Sequence, residues 1–234
     1  MWDMASVTRK RKDNDERPTA AEKQLLAALE RLLKRGESFT EISVQQIIEE
    51  AGVSRATFYA YFRDKSHLLI QLTDALRSTL LEKARKWDPS AGEDGAARYA
   101  RFFIEVITIH RDNHAVLSAL RELSSYDASV RDFYTADLEK FDEAVLKTIV
   151  DEQASGSTPS DLDAAAASRV IVWGGEQAIA RHISVDDGSG DEAFARELGK
   201  IWWYGAYRRP AEQPVNESEN HRNAEKENRN ERRE

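Results

Sequence analysis

Apolar positions recur at helical spacing along nearly the whole chain. Leu25, Leu29, Leu32 and Leu33 form one stripe, Ile47, Ile48 and Ala51 a second, and Phe58 with Phe62 a third. Each stripe begins just after a residue suited to start a helix. Thr19 with Glu22 and Ser43 with Gln46 have the spacing of capping boxes; Ile42 with Ile47, and Val53 with Phe58 around Ser54, have that of hydrophobic staples. Gly36 and Gly52 stand where helices end, because a positive φ costs glycine little. The pattern predicts three short helices, the last two joined by a turn of about three residues at Gly52, which is helix-turn-helix spacing. Leu68, Leu69, Leu72, Leu76, Leu80 and Leu81 predict a long fourth helix from Asp64 to near Trp87, ~35 Å at 1.5 Å per residue. Further helices are expected near 93–111, 113–124, 127–154, 160–183 and 190–207, with breaks at 154–159 and 186–190. Nothing alternates as a strand would. The fold class is all-α.

The third helix divides its faces unequally. Phe58 and Phe62 take the core, leaving Arg55, Ala56, Thr57, Tyr59 and Tyr61 on the other sides or at the N-terminal end. Such a helix end suits a DNA major groove, about 12 Å wide, where Arg bonds guanine bidentately and Ala or a Thr methyl touches a thymine methyl. A plain helical hairpin with a solvated face is the alternative.

The run Val53 to Lys65, V-S-R-A-T-F-Y-A-Y-F-R-D-K, preceded by a capped helix ending in Ala51-Gly52, resembles the DNA-binding domain of the TetR family of bacterial transcriptional regulators. The resemblance spans roughly Thr19 to Leu76. It departs at Ala56, where many members carry Gly or Pro, and at His67, where an acidic residue is commoner. It implies an N-terminal three-helix head, joined by the long helix to a helical ligand-binding and dimerisation body. The expected divisions are a disordered basic arm at 1–17, the head at 18–66, the body at 67–209 and a disordered polar tail at 210–234. Double-stranded operator DNA is the expected partner. Arg55, Ala56, Thr57, Tyr59 and Tyr61 would face bases, Gln45 would reach a base from the preceding helix, and Ser43, Lys65 and the arm Arg9 to Lys12 would hold phosphates.

Charge supports that division. The net charge is −8, yet residues 1–66 carry 12 Lys/Arg against 11 Asp/Glu, so the acidic surplus belongs to the remainder. The absence of cysteine excludes disulfides and thiolate chemistry. With no apolar run of membrane-spanning length and no signal-peptide core at the N-terminus, a cytoplasmic protein is expected, away from the membrane.

In the body, aromatic residues crowd the fifth and seventh helices, and Gly174-Gly175-Glu176 follows Trp173 inside an apolar helix. Each helical glycine costs about 1 kcal/mol relative to alanine. Apolar stripes usually mean packing, but glycines admit large groups, and aromatic walls with few polar points describe a pocket. The candidate lining is Phe102, Phe103, Val106, Phe133, Tyr134, Phe141, Trp173, Glu176 and Trp202, for a small hydrophobic effector. The segment Lys200 to Tyr207, with Phe102-Phe103, resembles the mycobacterial ethionamide-resistance-type repressors, a TetR subgroup with a hydrophobic ligand tunnel. Their eighth-helix asparagines have no counterpart between Val172 and Glu176. A homodimer is expected on the last two helices, through Ala164, Ala167, Ile171, Phe194, Leu198 and Ile201. His110 and His114 could ligate a metal only if one helix carried both, and a break near Asp112-Asn113 is expected to separate them. No nucleophile with its base and no phosphate loop is visible, so neither enzyme chemistry nor a cofactor is expected. The resulting expectation is a ligand-released repressor. A TetR-like activator, or an all-α acyl-ligand carrier or enzyme with a vestigial head, remains the alternative.

Overall fold

The computed structural model describes residues 18–90 and 94–210. The expected basic arm and all of the polar tail beyond Pro210 lie outside the described residues. Among the described residues every regular element is helical. The elements are α1 (Ala20–Lys34), α2 (Val44–Ala51), α3 (Arg55–Tyr61), α4 (Lys65–Arg85), α5 (Gly95–Asp112), α6 (His114–Ser124), α7 (Ala128–Ala154), α8 (Ala164–Arg169), α9 (Gly175–Val185) and α10 (Asp191–Trp202). A π-helical turn, Val170–Gly174, joins α8 to α9, so the eighth helix of the sequence reading is one rod with a wide turn inside it. A second π turn, Trp203–Tyr207, continues α10.

The chain forms two compact units. One holds the described residues up to Lys83 together with Ile109–Lys140; the other holds Ala84–Thr108 and the described residues from Phe141 onward. The boundaries fall inside α4, α5 and α7, and the first unit takes α6 and the start of α7 as well as the three N-terminal helices.

In the first unit the local signals act as the sequence implies. Thr19 and Ser43 both close capping boxes, and Ser54 accepts the Thr57 amide. Gly52 ends α2 at φ 66°. Leu25, Leu29, Ile42, Ile47, Phe58 and Phe62 are buried, and α1 packs against α2, α3 and α6. The Arg35 guanidinium, helped by Arg31, hydrogen-bonds the Glu50 carboxylate and holds it down to about 2, fastening α1 to the end of α2.

The inner face of α4 differs from its leucine pattern. Leu68, Leu69, Leu80 and Leu81 are buried, but Leu72 and Leu76 are only half-buried, and Thr73 and Arg77 take the core positions. Arg77 Nε donates to Asp137 Oδ2 of α7 at 2.5 Å, with both side chains almost wholly out of water, and its guanidinium lies 5.9 Å from the Tyr134 ring centroid. Thr73 returns its hydroxyl to the Leu69 carbonyl. A buried ion pair is costly to break from one side only, because the surviving charge keeps its desolvation penalty. Arg77→Leu should therefore lose about 3–5 kcal/mol in urea unfolding, whereas Arg77→Leu with Asp137→Leu should recover most of it. Equal losses in both variants would contradict this account.

Candidate nucleic-acid interface and body

The outward side of α3 is set by what its inward side buries. Phe58 is fully buried and its ring meets Tyr59 edge-on at 5.2 Å and Phe62 at 5.9 Å. That packing leaves Arg55, Ala56 and Tyr59 exposed and Thr57 and Tyr61 half-buried. Arg55 lies over the Tyr59 ring at 5.4 Å, with one guanidinium nitrogen 3.4 Å from the phenol oxygen, so an exposed cation is held along an exposed aromatic. Thr57 is turned toward the turn, its hydroxyl 2.8 Å from that of Ser54. On α2, Gln45 is exposed and donates to Glu49, while Ser43 engages Gln46 at the cap.

Lys65 is placed differently from the expectation. Its ammonium donates to the carbonyls of Phe39 at 2.8 Å, Thr40 at 3.0 Å and Ile42 at 2.8 Å, and lies 4.9 Å from the Phe39 ring centroid. An ammonium has three protons, and here all three have acceptors within the protein. Lys65 thus ties the first turn of α4 to the loop between α1 and α2, and partial burial lowers its pKa. The sequence hid this because the acceptors are backbone atoms more than twenty residues earlier. Beside it, Ser66 donates to Asp127 at 2.8 Å, ahead of α7, and Phe39, Thr40, Leu123, Tyr126 and Ala128 complete a cleft of about 460 Å³. Removal of the Lys65 tie should be felt without DNA: hydrogen bonds to a charged group contribute about 1.5–3 kcal/mol, so Lys65→Met should lower unfolding stability measurably. A variant as stable as the parent would leave the phosphate role as the better account.

The effector candidates divide between the units. Phe133 and Tyr134 belong to the first unit, where Tyr134 is buried beside Arg77. In the second unit Phe103 is buried and Phe102 and Trp202 are half-buried, and these rings pack on one another and on Tyr99 at centroid distances of 4.8–6.1 Å. Val106 and Glu176 are buried and Phe141 is half-buried. Trp173 is 38% exposed, on the π turn. The two adjacent glycines have different roles. A Cβ on Gly175 would overlap the Trp202 ring, whereas one on Gly174 would meet open space. Gly199 lets α10 approach the backbone of α5 at Ala100, and Gly95 gives room to Trp203.

Sequence reasoning passed over Trp87 and Arg98. Trp87 stacks on Tyr99 at 4.5 Å, and the Arg98 guanidinium lies 5.1 Å from the Trp87 ring centroid. Trp87 Nε1 and Arg98 Nη1 are buried donors with no acceptor among the described residues. Burial also pushes the Tyr99 phenol well up and Tyr207 to about 12, so both are neutral donors at ordinary pH. His110 and His114 lie on different helices, α5 and α6, on either side of Asn113.

Residues 25–72, from the middle of α1 into α4, match the family described as bacterial regulatory proteins, tetR family. The HTH-type transcriptional regulator EthR of Mycolicibacterium smegmatis is 30% identical over 158 residues, which is 66% of this chain and 69% of that protein. Among solved structures, Salmonella enterica GusR superposes with a TM-score of 0.67 at 18% identity, covering 84% of this chain and 100% of that one. FadR from Bacillus subtilis, in complex with stearoyl-CoA, gives 0.63 at 17% identity over 77% and 96% of the two chains. At such identities the structures speak for the fold. The N-terminal match and the relative that shares two thirds of its length carry the assignment: the chain belongs to the tetR family of bacterial regulatory proteins and is a DNA-binding transcriptional regulator.

Proposed function

We propose that the protein is a repressor that binds a roughly two-fold symmetric operator as a homodimer and is released by a small, mostly apolar effector. The observation that carries the DNA reading is the exposed face of α3, where Arg55, Ala56 and Tyr59 stand outward on a helix whose other face is locked by Phe58. Gln45 and Ser43, exposed at the start of α2, would add a base contact and a phosphate contact. Lys65 would act by holding the loop at Phe39 to Ile42 rather than by touching phosphate. On a selected operator, Arg55→Ala should cost about 1–3 kcal/mol and relax one base position. Unchanged affinity and unchanged base preference would refute this docking.

Support for the dimer comes from the second unit. Val170, Trp173, Ile201 and Tyr204 are large, apolar and 38–69% exposed on α10 and the two π turns, beside the exposed Gly174 and Gly205. Ile171 and Leu198, expected from sequence to be intersubunit contacts, are buried within the chain; Phe194 is spent on His182. The dimer face therefore centres on Val170, Trp173, Ile201 and Tyr204. A two-fold arrangement would present two α3 helices about one DNA turn apart.

The effector would be met by Phe102, Phe103, Val106, Phe141, Glu176 and Trp202, with the unused donors of Trp87 and Arg98 offering a place for an acceptor group. The stearoyl-CoA bound by Bacillus subtilis FadR is one precedent for an acyl ligand in this fold. Release requires tighter binding of the effector to a form unable to engage the operator, and tenfold weaker DNA binding needs only ~1.4 kcal/mol of coupling. Ile201→Arg should yield monomers by light scattering with weakened operator binding, and acyl or aromatic compounds should lower the parent's operator affinity. A monomeric parent that binds the operator fully would end the dimer reading. If no compound affects that affinity at saturation, the effector reading fails.

A further inference from the structure

The corner between α9 and α10 gathers three side chains that the DNA and effector readings leave unused. His182 lies in the last turn of α9, Asp186 follows that helix, and Asp191 opens α10. His182 Nε2 is 2.8 Å from Asp191 Oδ1 and 4.0 Å from Asp186 Oδ1, and one donor atom from each residue lies within 4.8 Å of the other two. We infer that this corner is a binding site for a divalent transition-metal ion, with His182, Asp186 and Asp191 as its protein ligands.

Donors around a common ion at roughly 2.0–2.2 Å sit about 3–4 Å from one another, so the three need only small adjustments to share one. Their side chains are already held in place. The His182 ring is stacked face to face on Phe194, with a centroid distance of 4.2 Å and an interplanar angle of 0°. Asp186 Oδ1 accepts the amides of Gly188 at 2.8 Å and Gly190 at 3.1 Å, which is how outer contacts orient a metal-binding carboxylate. Two carboxylates thus converge on one imidazole nitrogen in a corner where the three side chains are only 10–27% exposed. A cation between two neighbouring carboxylates relieves their mutual repulsion, and a bound metal ion would supply one. One imidazole nitrogen with two carboxylate oxygens suits Zn²⁺ and its neighbours better than Mg²⁺ or Ca²⁺, which prefer oxygen alone. With three protein donors, at least one position remains for water. The ion would fasten the end of α9 to the start of α10.

The test uses the tag-free full chain, cleared with EDTA and titrated with Zn²⁺ by calorimetry and with Co²⁺ by visible absorption. One equivalent should bind with micromolar affinity and resist Mg²⁺ competition. His182→Ala and Asp191→Asn should each weaken it by tenfold or more. Gly190→Ala removes no donor, but its new Cβ would sit 2.7 Å from Asp186 Oδ2 and force that carboxylate aside. It should cost about 10–100-fold, the range for loss of an orienting contact. Should His182→Ala fail to fold, Asp186→Asn and Gly190→Ala answer through the same titration. A parent that binds no equivalent at tens of micromolar, or variants that bind as the parent does, would overturn the site and leave a hydrogen-bonded clasp. Operator binding enters none of these measurements, so the outcome is independent of the repressor reading.

Discussion

A cation at the start of a helix is electrostatically misplaced, since the N-terminal amides already present positive charge there. Lys65 nevertheless opens α4 and is stabilised by three carbonyls from the loop between α1 and α2. That loop contributes Phe39 and Ile42 to the core and leads into Ser43, the cap of α2. Position of the long helix, closure of the three-helix core and the starting angle of the helix-turn-helix are thus joined at one ammonium. The sequence favoured a phosphate because Lys beside helix amides suits an anion. Acceptors inside the protein were absent from any local pattern.

Farther along α4 the same unit uses buried charge. Arg77 and Asp137 are more than two helical turns from the Lys65 and Asp127 end, where the Ser66–Asp127 hydrogen bond joins the first turn of α4 to the residue just ahead of α7. One contact is buried and the other lies beside an open cleft, so α4 and the first half of α7 are fastened at two points of different strength. A buried ion pair adds little net stability compared with apolar packing, but it tolerates only one register between its helices. A shift of α4 by one turn would leave both Arg77 and Asp137 uncompensated.

What was legible in the sequence was local. Thr19, Ser43, Ser54 and Gly52 act within three or four residues of themselves, and all four occupy the expected cap positions. The all-α fold, the order of the helices and the face of α3 followed from those signals and from periodicity. The inside of α4 did not, because leucines at 72 and 76 fit the helical stripe as well as Thr73 and Arg77, and only the presence of Asp137 on another helix decides between them. Nor did the division into units, which depends on α6 and the start of α7 packing with the N-terminal helices. Along α5, too, spacing alone does not show that Phe102 and Phe103 pack on Tyr99, since a ring lining a hollow would have the same spacing.

The segment from Val170 to Ile183 combines a buried row with an exposed apolar surface. Ile171, Gly175, Ile179 and Ile183 are all buried, at intervals of four residues. In a straight α-helix a row at that spacing rotates by about 40° per step and would leave the core. The wider turn at Val170–Gly174 takes up part of that rotation, and Gly175 lets Trp202 approach the row directly. Val170 and Trp173 are then turned to solvent, while Ile171 is held inside. Even at a uniform turn of about 100° per residue Ile171 falls on the side of Gly175, Ile179 and Ile183, with Val170 and Trp173 opposite, as their burial and exposure show. Two π turns in elements that also carry the large exposed apolar side chains fit the tendency of such turns to occur where a helix does something besides pack. The two adjacent glycines differ in what they do: Gly175 serves the core by admitting an indole, whereas Gly174 lies on the outer side, where a Cβ would meet open space.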